Sequence, residues 1–527
     1  MHITSHAPSF PSVPRGAVAV AVATLLAAAS FGAAAQAARS SEARVLIGFK
    51  PGAAAGVQNA VARSGGRVTV DLSEVRAMAA TLPRAAIAAL AKNPNVEYVE
   101  DDQPRRALAL TRPSKAPYEL GQLVPYGIPM VQADLVSDAA AANMKVCIVD
   151  SGYDAAHEDL AGNIASGRNY TTSGQWYTDE LGHGTHVGGT VTAVNNPNLG
   201  VVGVLPNRFV SLHIAKVFDV EGTASTSTID RAALDCVRAG AKIISMSLGG
   251  EDSSQTEARV FQRIADEGVL SIAAAGNDGN TLVSYPGGYP TVMSVAAVDE
   301  NGAWASFSQY NATVEISGPG VGVLSTVPTG TGRDPTLTVG RTSYASIPME
   351  GTPAGSATAP LANFGLGTAV DAAMAGKICL IQRGTISFAQ KVVNCQASGG
   401  VAAVVYNNVA GDLNGTLGTT VTSIPSVGVT DTAGADLLQQ VGQTASLTIL
   451  ATNYGYNNGT SMATPHVSAV AALAWSHHPQ CTAQQIRASL TKSAKDLGAK
   501  GRDDKTGWGL VQAKAAIDRI ASLGCGK

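Results

Sequence analysis

The chain has 527 residues, of which 45% are hydrophobic and 14% charged, with 57 glycines and a formal net charge of −3. That length and apolar content suit roughly two to four domains with sizeable cores and many tight turns, and argue against a coiled-coil or disordered chain. The near-neutral charge gives no electrostatic case for a nucleic-acid partner.

The first feature in chain order is the apolar run GAVAVAVATLLAAASFGAAAQAA over 16–38, which follows Arg15 and ends in A-x-A patterns at Ala33–Ala35 and Ala35–Ala37. It reads as a cleaved secretory signal over 1–38, because small residues at its end suit a peptidase better than lipid. The competing reading is an uncleaved membrane anchor. No later run is long and apolar enough to span a membrane, so the product is expected to be secreted, with no membrane partner after cleavage.

Residues 43–104 alternate strand-like and helix-like pieces, RVLIGFK to VEYVEDD, and predict a small α+β unit. The segment QPRRALALTRPSKAP follows; it is basic and proline-containing, and 105–120 reads as an exposed linker open to proteolysis. Over 121–328, apolar strands such as MKVCIVDSG, KIISMSLGG, LSIAAAGNDG and VMSVAAV alternate with alanine-rich helices. That pattern predicts a parallel sheet buried on both faces, a three-layer α/β/α arrangement. Residues 329–452 turn rich in Thr, Gly and Ala and read as an insertion, since the α/β pattern resumes over 453–527.

Six cysteines, an even number, suit an exported protein, and the absence of a C-x-x-C pair argues against zinc. Cys379 with Cys395, and Cys481 with Cys525, are local pairs; Cys147 and Cys236 remain as a third disulfide or as two buried thiols.

In an open parallel sheet, functional groups gather at the carboxyl ends of the strands. Asp150 ends KVCIVD, His183 stands before a glycine in LGHGTHVGGT, and Asn277 ends the small-residue strand AAAGN. Ser461 sits in NGTSMATPHV at the start of an alanine-rich helix and has no base beside it in the chain. Taken singly, these are a turn-former, a helix-start histidine, a left-handed turn residue and a helix cap.

The blocks VDSG, HGTHVGGT, SLGG, AAGN and NGTSMATPHV, in this order, resemble the subtilisin-like serine protease family over residues 120–325 and 453–520. The resemblance implies Ser461 as nucleophile, His183 as base, Asp150 as its orienting carboxylate, and Asn277 with the Ser461 N–H as the oxyanion hole. It also implies that Ser245, Met246, Ser247, Leu248, Gly249 and Gly250 bind extended peptide. Ala274, Ala275, Gly276 and Ser284 would line an uncharged pocket suited to large apolar residues before the scissile bond. His157, His186 and His466 are expected to be structural, since the position of the base is filled. Gln122, Asp159, Val194, Asn196, Leu199 and Val201 match the family's calcium site, in a loop one residue longer at Pro197 or Asn198.

Residues 43–104, ending NVEYVEDDQ, resemble the family's inhibitory propeptide, and the insertion, through ICLIQRGTISFAQKVVNCQASGGVAAVVYNN and IPSVGV, resembles a protease-associated (PA) domain. The implied protein is a monomeric zymogen that frees itself by cutting in the linker, with its own propeptide as intramolecular inhibitor and polypeptides as substrates. A catalytically dead peptide-binding relative is the competing class; an α/β-hydrolase esterase would need G-x-S-x-G at the nucleophile with Asp and His after it, and has neither.

Overall fold

The computed structural model describes residues 42–107, 110–112, 122–196, 199–411, 413, 415–418 and 420–527. The signal segment expected at 1–38, residues 108–109 and 113–120 of the linker expected at 105–120, and the extra loop residue at 197 or 198 lie outside them. The chain divides after Asp102 into two compact units.

The first unit holds β1 (Glu42–Phe49), α1 (Ala54–Arg63), β2 (Arg67–Leu72), β3 (Ala77–Pro83), α2 (Arg84–Leu90) and β4 (Val96–Asp101). Its strands form an antiparallel sheet in the order β2-β3-β1-β4. Val45, Ile47 and Phe49 alternate along β1, and Val57 and Val61 lie one turn apart on α1. The two periodicities meet in one apolar core with Leu90 of α2.

The second unit opens with two short strands, β5 (Pro104–Ala107) and β6 (Leu110–Arg112). Its main sheet has β7 (Lys145–Asp150), β8 (Ile164–Asn169), β9 (Ser211–Lys216), β11 (Ile243–Met246), β13 (Leu270–Ala274), β14 (Val292–Val298) and β15 (Val314–Pro319). These run in the order β15-β14-β13-β11-β7-β9-β8, and every neighbouring pair is parallel. All seven residues of β14 are buried, as expected of a strand covered on both faces. Short strands β10 (Thr223–Ser225) and β12 (Leu248–Gly249) lie outside this sheet.

Three helices follow strands of this sheet: α3 (His183–Thr192), α4 (Thr226–Arg238) and α5 (Gln255–Asp266). After β16 (Val323–Thr326) the insertion forms an eight-stranded sheet with strands β17 (Gly332–Val339), β18 (Thr342–Tyr344), β19 (Ile347–Pro348), β20 (Gly355–Asn363), β21 (Ile378–Gln382), β22 (Ala402–Tyr406), β23 (Ser426–Val429) and β24 (Thr444–Thr452). It carries α6 (Phe388–Ala397) and α7 (Asp431–Gln439) and its own apolar clusters. The chain then returns through β25 (Tyr454–Asn458) into α8 (Thr460–His477). Every residue of α8 from Thr460 to Ser476 is buried, and a helix apolar on all sides belongs at the centre of a core. It packs on α3 and across β11, β13, β14 and β15, with α4 and α5 forming the other helical layer.

All six cysteines are paired, Cys147 with Cys236, Cys379 with Cys395 and Cys481 with Cys525, so the alternative of two buried thiols at 147 and 236 is overturned. Among the described residues no helix is long and apolar enough to cross a membrane.

Candidate active site

After β7 the chain builds β8 and β9 on one side, then β11 on the other. This reversal opens a crevice at the carboxyl end of β7. Asp150, the last residue of β7, is fully buried there, and its Oδ1 lies 2.7 Å from Nδ1 of His183, the first residue of α3. The approach depends on Gly184: a Cβ at that position would stand 2.2 Å from the carbonyl oxygen of Gly152. Burial lowers the pKa of His183, but the charge and hydrogen bond of Asp150, with a smaller effect of Asp179, raise it above the ordinary value of 6.5 overall.

Asp179 escaped the sequence reading. Its carboxylate accepts from Ser151 Oγ at 2.8 Å, from the N–H of Gly182 at 2.8 Å and from the N–H and hydroxyl of Thr185 at 2.7 Å each. It ties the start of α3 to the end of β7 and so sets where His183 stands. An acidic residue four positions before a helix-start histidine was the available signal.

Ser461 is the second residue of α8. Pro465, four residues on, has no N–H to give to the Ser461 carbonyl; Ser247 Oγ donates to it instead, at 2.8 Å. The Ser461 hydroxyl in turn donates to the Ser247 carbonyl at 3.0 Å. His183 Nε2 is buried without a hydrogen-bond partner, so Ser461 and His183 are not hydrogen-bonded to each other in this arrangement. Asn277 Oδ1 accepts from the Thr460 N–H at 2.9 Å and the Thr460 hydroxyl at 2.8 Å. A backbone N–H can only donate, so Oδ1 is the atom facing Thr460 and Nδ2 is turned away from it.

The candidate peptide-binding residues divide. Leu248 and Gly249 form β12, which pairs antiparallel with β5, while β10 pairs with the other edge of β5. Gly250 exchanges backbone hydrogen bonds of 3.0 and 2.8 Å with Tyr285, next to the buried Ser284, and Ala274, Ala275 and Gly276 follow at the end of β13. Ser245 and Met246 do not join them: both are fully buried in β11, and Ser245 Oγ bonds Ser468 Oγ of α8 at 2.9 Å. Beyond Ser461, β6 pairs with β25, with Leu110 opposite Asn458. A cavity of about 520 Å³ adjoins His183 and is lined by Leu181 and Tyr456 of the sheet domain and by Ile347, Met349 and Glu350 of the insertion.

The six candidate calcium ligands also lie close together in part. Gln122 Nε2 donates to the carbonyls of Val194 at 3.0 Å and Val201 at 3.3 Å, and Asp159 Oδ2 accepts from the Val201 N–H at 2.7 Å. Asp159 Oδ1 is buried with no hydrogen-bond partner, and burial pushes the carboxyl pKa up despite the Val201 bond. The unmatched buried Asp159 oxygen and the Val194 and Val201 carbonyls are hard oxygens of the kind calcium takes, and they fit the ion if the Gln122 amide turns Oε1 in place of Nε2 towards them. Asn196 and Leu199 lie in the same loop, joined by a backbone bond of 3.2 Å, and Leu199 is exposed.

Comparison with known proteins agrees along most of the chain. Residues 141–360 and 416–509 match the subtilase family, residues 352–437 the PA domain and residues 33–102 the fervidolysin N-terminal prodomain. Subtilisin NAT of Bacillus subtilis subsp. natto is 35% identical over 303 residues, covering 55% of this chain and 75% of that protein. Subtilisin DY of Bacillus licheniformis is 40% identical over 216 residues, 40% of this chain and 77% of the other. Among solved structures, a psychrophilic subtilisin-like protease from the Antarctic psychrotroph Pseudoalteromonas sp. AS-11 is 41% identical with a TM-score of 0.58, covering 77% of this chain and 100% of that one. The parallel sheet, the site at its carboxyl edge and these matches together make the chain a member of the subtilase family of serine endopeptidases, carrying an N-terminal prodomain and a PA domain.

Proposed function

We propose that the protein is a secreted endopeptidase, made as a zymogen, that cuts peptide bonds through Ser461, His183 and Asp150 and matures by cutting its own linker. Ser461 Oγ turns from the Ser247 carbonyl towards the substrate carbonyl carbon, His183 Nε2 takes its proton, and the same proton goes to the leaving amine. Water then hydrolyses the acyl-enzyme by the reverse transfer. Asp150 at 2.7 Å keeps the Nδ1–H tautomer, which leaves Nε2 as the basic nitrogen. Asn277 Nδ2 and the Ser461 N–H, at the start of α8, donate to the oxyanion as it forms. The uncharged Ala274–Gly276 and Ser284 region supports a broad specificity that leans to large apolar residues before the cut. Calcium, held by Asp159, Gln122 and the 194–201 loop, would fix that loop as a structural ion.

The observation that carries the endopeptidase reading is that peptide strands pair with the cleft edges on both sides of Ser461, β5 with β12 before it and β6 with β25 after it. A chain held on both sides of the nucleophile is cut internally. The test is Ser461→Ala: the precursor should stay unprocessed in a protease-free preparation, and peptide hydrolysis should be abolished. Maturation of that variant at the wild-type rate would sink the reading.

A further inference from the structure

Between Pro104 and Ala107, only Arg105 is buried, and it is wholly so; Pro104 and Arg106 beside it are exposed. Its guanidinium meets the carboxylate of Glu257, the third residue of α5, with two bonds: Nε to Oε1 at 3.1 Å and Nη2 to Oε2 at 2.6 Å. Nη2 also donates to the Asp252 carbonyl and Nη1 to the Pro104 carbonyl, each at 3.0 Å. Glu257 is likewise fully buried and accepts from the Tyr289 hydroxyl at 2.9 Å. Gly250 leaves the room for this: a Cβ there would stand 2.6 Å from the Pro104 carbonyl and 2.9 Å from Arg105 Nη1. Such a cradle matches the planar fork of a guanidinium and nothing apolar.

The register relates this pocket to the nucleophile. Gly249 lies opposite Arg106 and Leu248 opposite Ala107. One step further along that edge is Ser247, which exchanges two hydrogen bonds with Ser461. A substrate strand continued in this register by one residue beyond Leu248 would bring a carbonyl opposite Ser247, beside Ser461, three residues after the position that Arg105 occupies.

We infer that the pocket formed by Glu257, Tyr289, Gly250 and the Asp252 carbonyl selects an arginine at the fourth residue before the scissile bond, in the enzyme's own linker and in its substrates. The inference rests on the endopeptidase reading and sharpens its specificity. An apolar side chain at that place would leave the buried Glu257 carboxylate with the Tyr289 hydroxyl but without a cation, which disfavours binding far more than loss of a surface contact does.

The experiment uses the mature wild-type enzyme and quenched peptides that differ only at the fourth position before the cut, bearing Arg, Lys, Leu or Glu. kcat/KM for the Arg peptide should exceed that for Leu by on the order of 10²-fold. Lys should fall between them, having the charge without the fork, and Glu should be lowest. In Glu257→Gln the Arg-to-Leu ratio should drop towards one, a ratio independent of how much enzyme is active. Equal cleavage of the Arg and Leu peptides by wild-type enzyme, or an Arg preference that survives in Glu257→Gln, overturns the inference while leaving the endopeptidase reading intact. Absence of any cleavage, together with no fluorophosphonate labelling of Ser461, overturns both. The wild-type series decides the matter even if the variant does not fold.

Discussion

At His183 two effects oppose each other: burial disfavours the imidazolium, and the charge and hydrogen bond of Asp150 together with the charge of Asp179 outweigh it, so the pKa lies above 6.5. With His183 as the proposed base, activity needs the neutral ring, so kcat/KM should fall by about tenfold per pH unit below a midpoint that is above 6.5. The sign for stability is the reverse. A raised folded-state pKa contributes stability that is fully present below the unfolded value of about 6.5 and is lost as pH rises through the folded value. The enzyme therefore gains activity across the window in which this one group stops stabilising the fold. A pH–rate profile of kcat/KM with its acid limb below 6.5 would contradict this, and Asp150→Asn, which leaves burial opposed only by the smaller effect of Asp179, should move the limb down. The other histidines in this region are of a different kind. His186 Nε2 bonds the carbonyls of Val323 and Gly455, and burial pushes its pKa down to about 3; His466, bonded to the Met462 carbonyl, is pushed down to about 4. Motif position could separate these roles in the sequence because each histidine lies in a short, ordered block. Glu257 lay beyond that reach, since its partner is 152 residues away and no local period joins them.

At the scale of elements, strands buried on both faces were legible as almost wholly apolar runs, and the central helix α8 as an alanine-rich stretch without a charged face. Ser245 and Met246 show the limit of that reading. The end of β11 and the candidate peptide-binding edge that follows it run on in sequence as IISMSLGG with no break to separate them, and only the sheet register shows that β11 ends at Met246 while Leu248 and Gly249 pair with β5. The 194–201 loop raises a question of stability at the same scale. It is closed by Gln122 and Asp159 from distant segments, with one carboxylate oxygen left without a partner. An ion that binds the folded loop and not the unfolded chain stabilises by about 2.7 kcal/mol at a hundred times its dissociation constant. Chelation of the inhibitor-blocked enzyme should therefore lower its unfolding midpoint, and returned calcium should restore it. Asp159→Ala should remove the dependence, and a midpoint indifferent to both chelator and calcium would remove the case for an ion here.

The whole second unit is organised around an interruption. β16 and β25 pair antiparallel with Thr326 opposite Tyr454, so the insertion departs and returns at adjacent points of one hairpin. A change in composition near residue 329, and the return of the α/β pattern at Tyr454, made that interruption readable in the sequence. Which wall of the cleft the insertion would supply was not readable, because Ile347, Met349 and Glu350 come near His183 only through the fold of a separate sheet. Two ends this close can be joined by a short turn with little strain, as is usual where a domain has been inserted. Replacing residues 330–452 by such a turn should leave a catalytic unit whose Ser461 still reacts with a fluorophosphonate. It would remove one wall of the 520 Å³ cavity while leaving β10 and β12 in place. Short peptides that reach only the β10 and β12 edges should then be cut at close to the intact enzyme's kcat/KM, whereas folded or long protein substrates, which must pass the insertion, should change in rate. Parallel changes for both substrate classes would mean that the insertion acts on the stability of the catalytic unit and not on what reaches the serine.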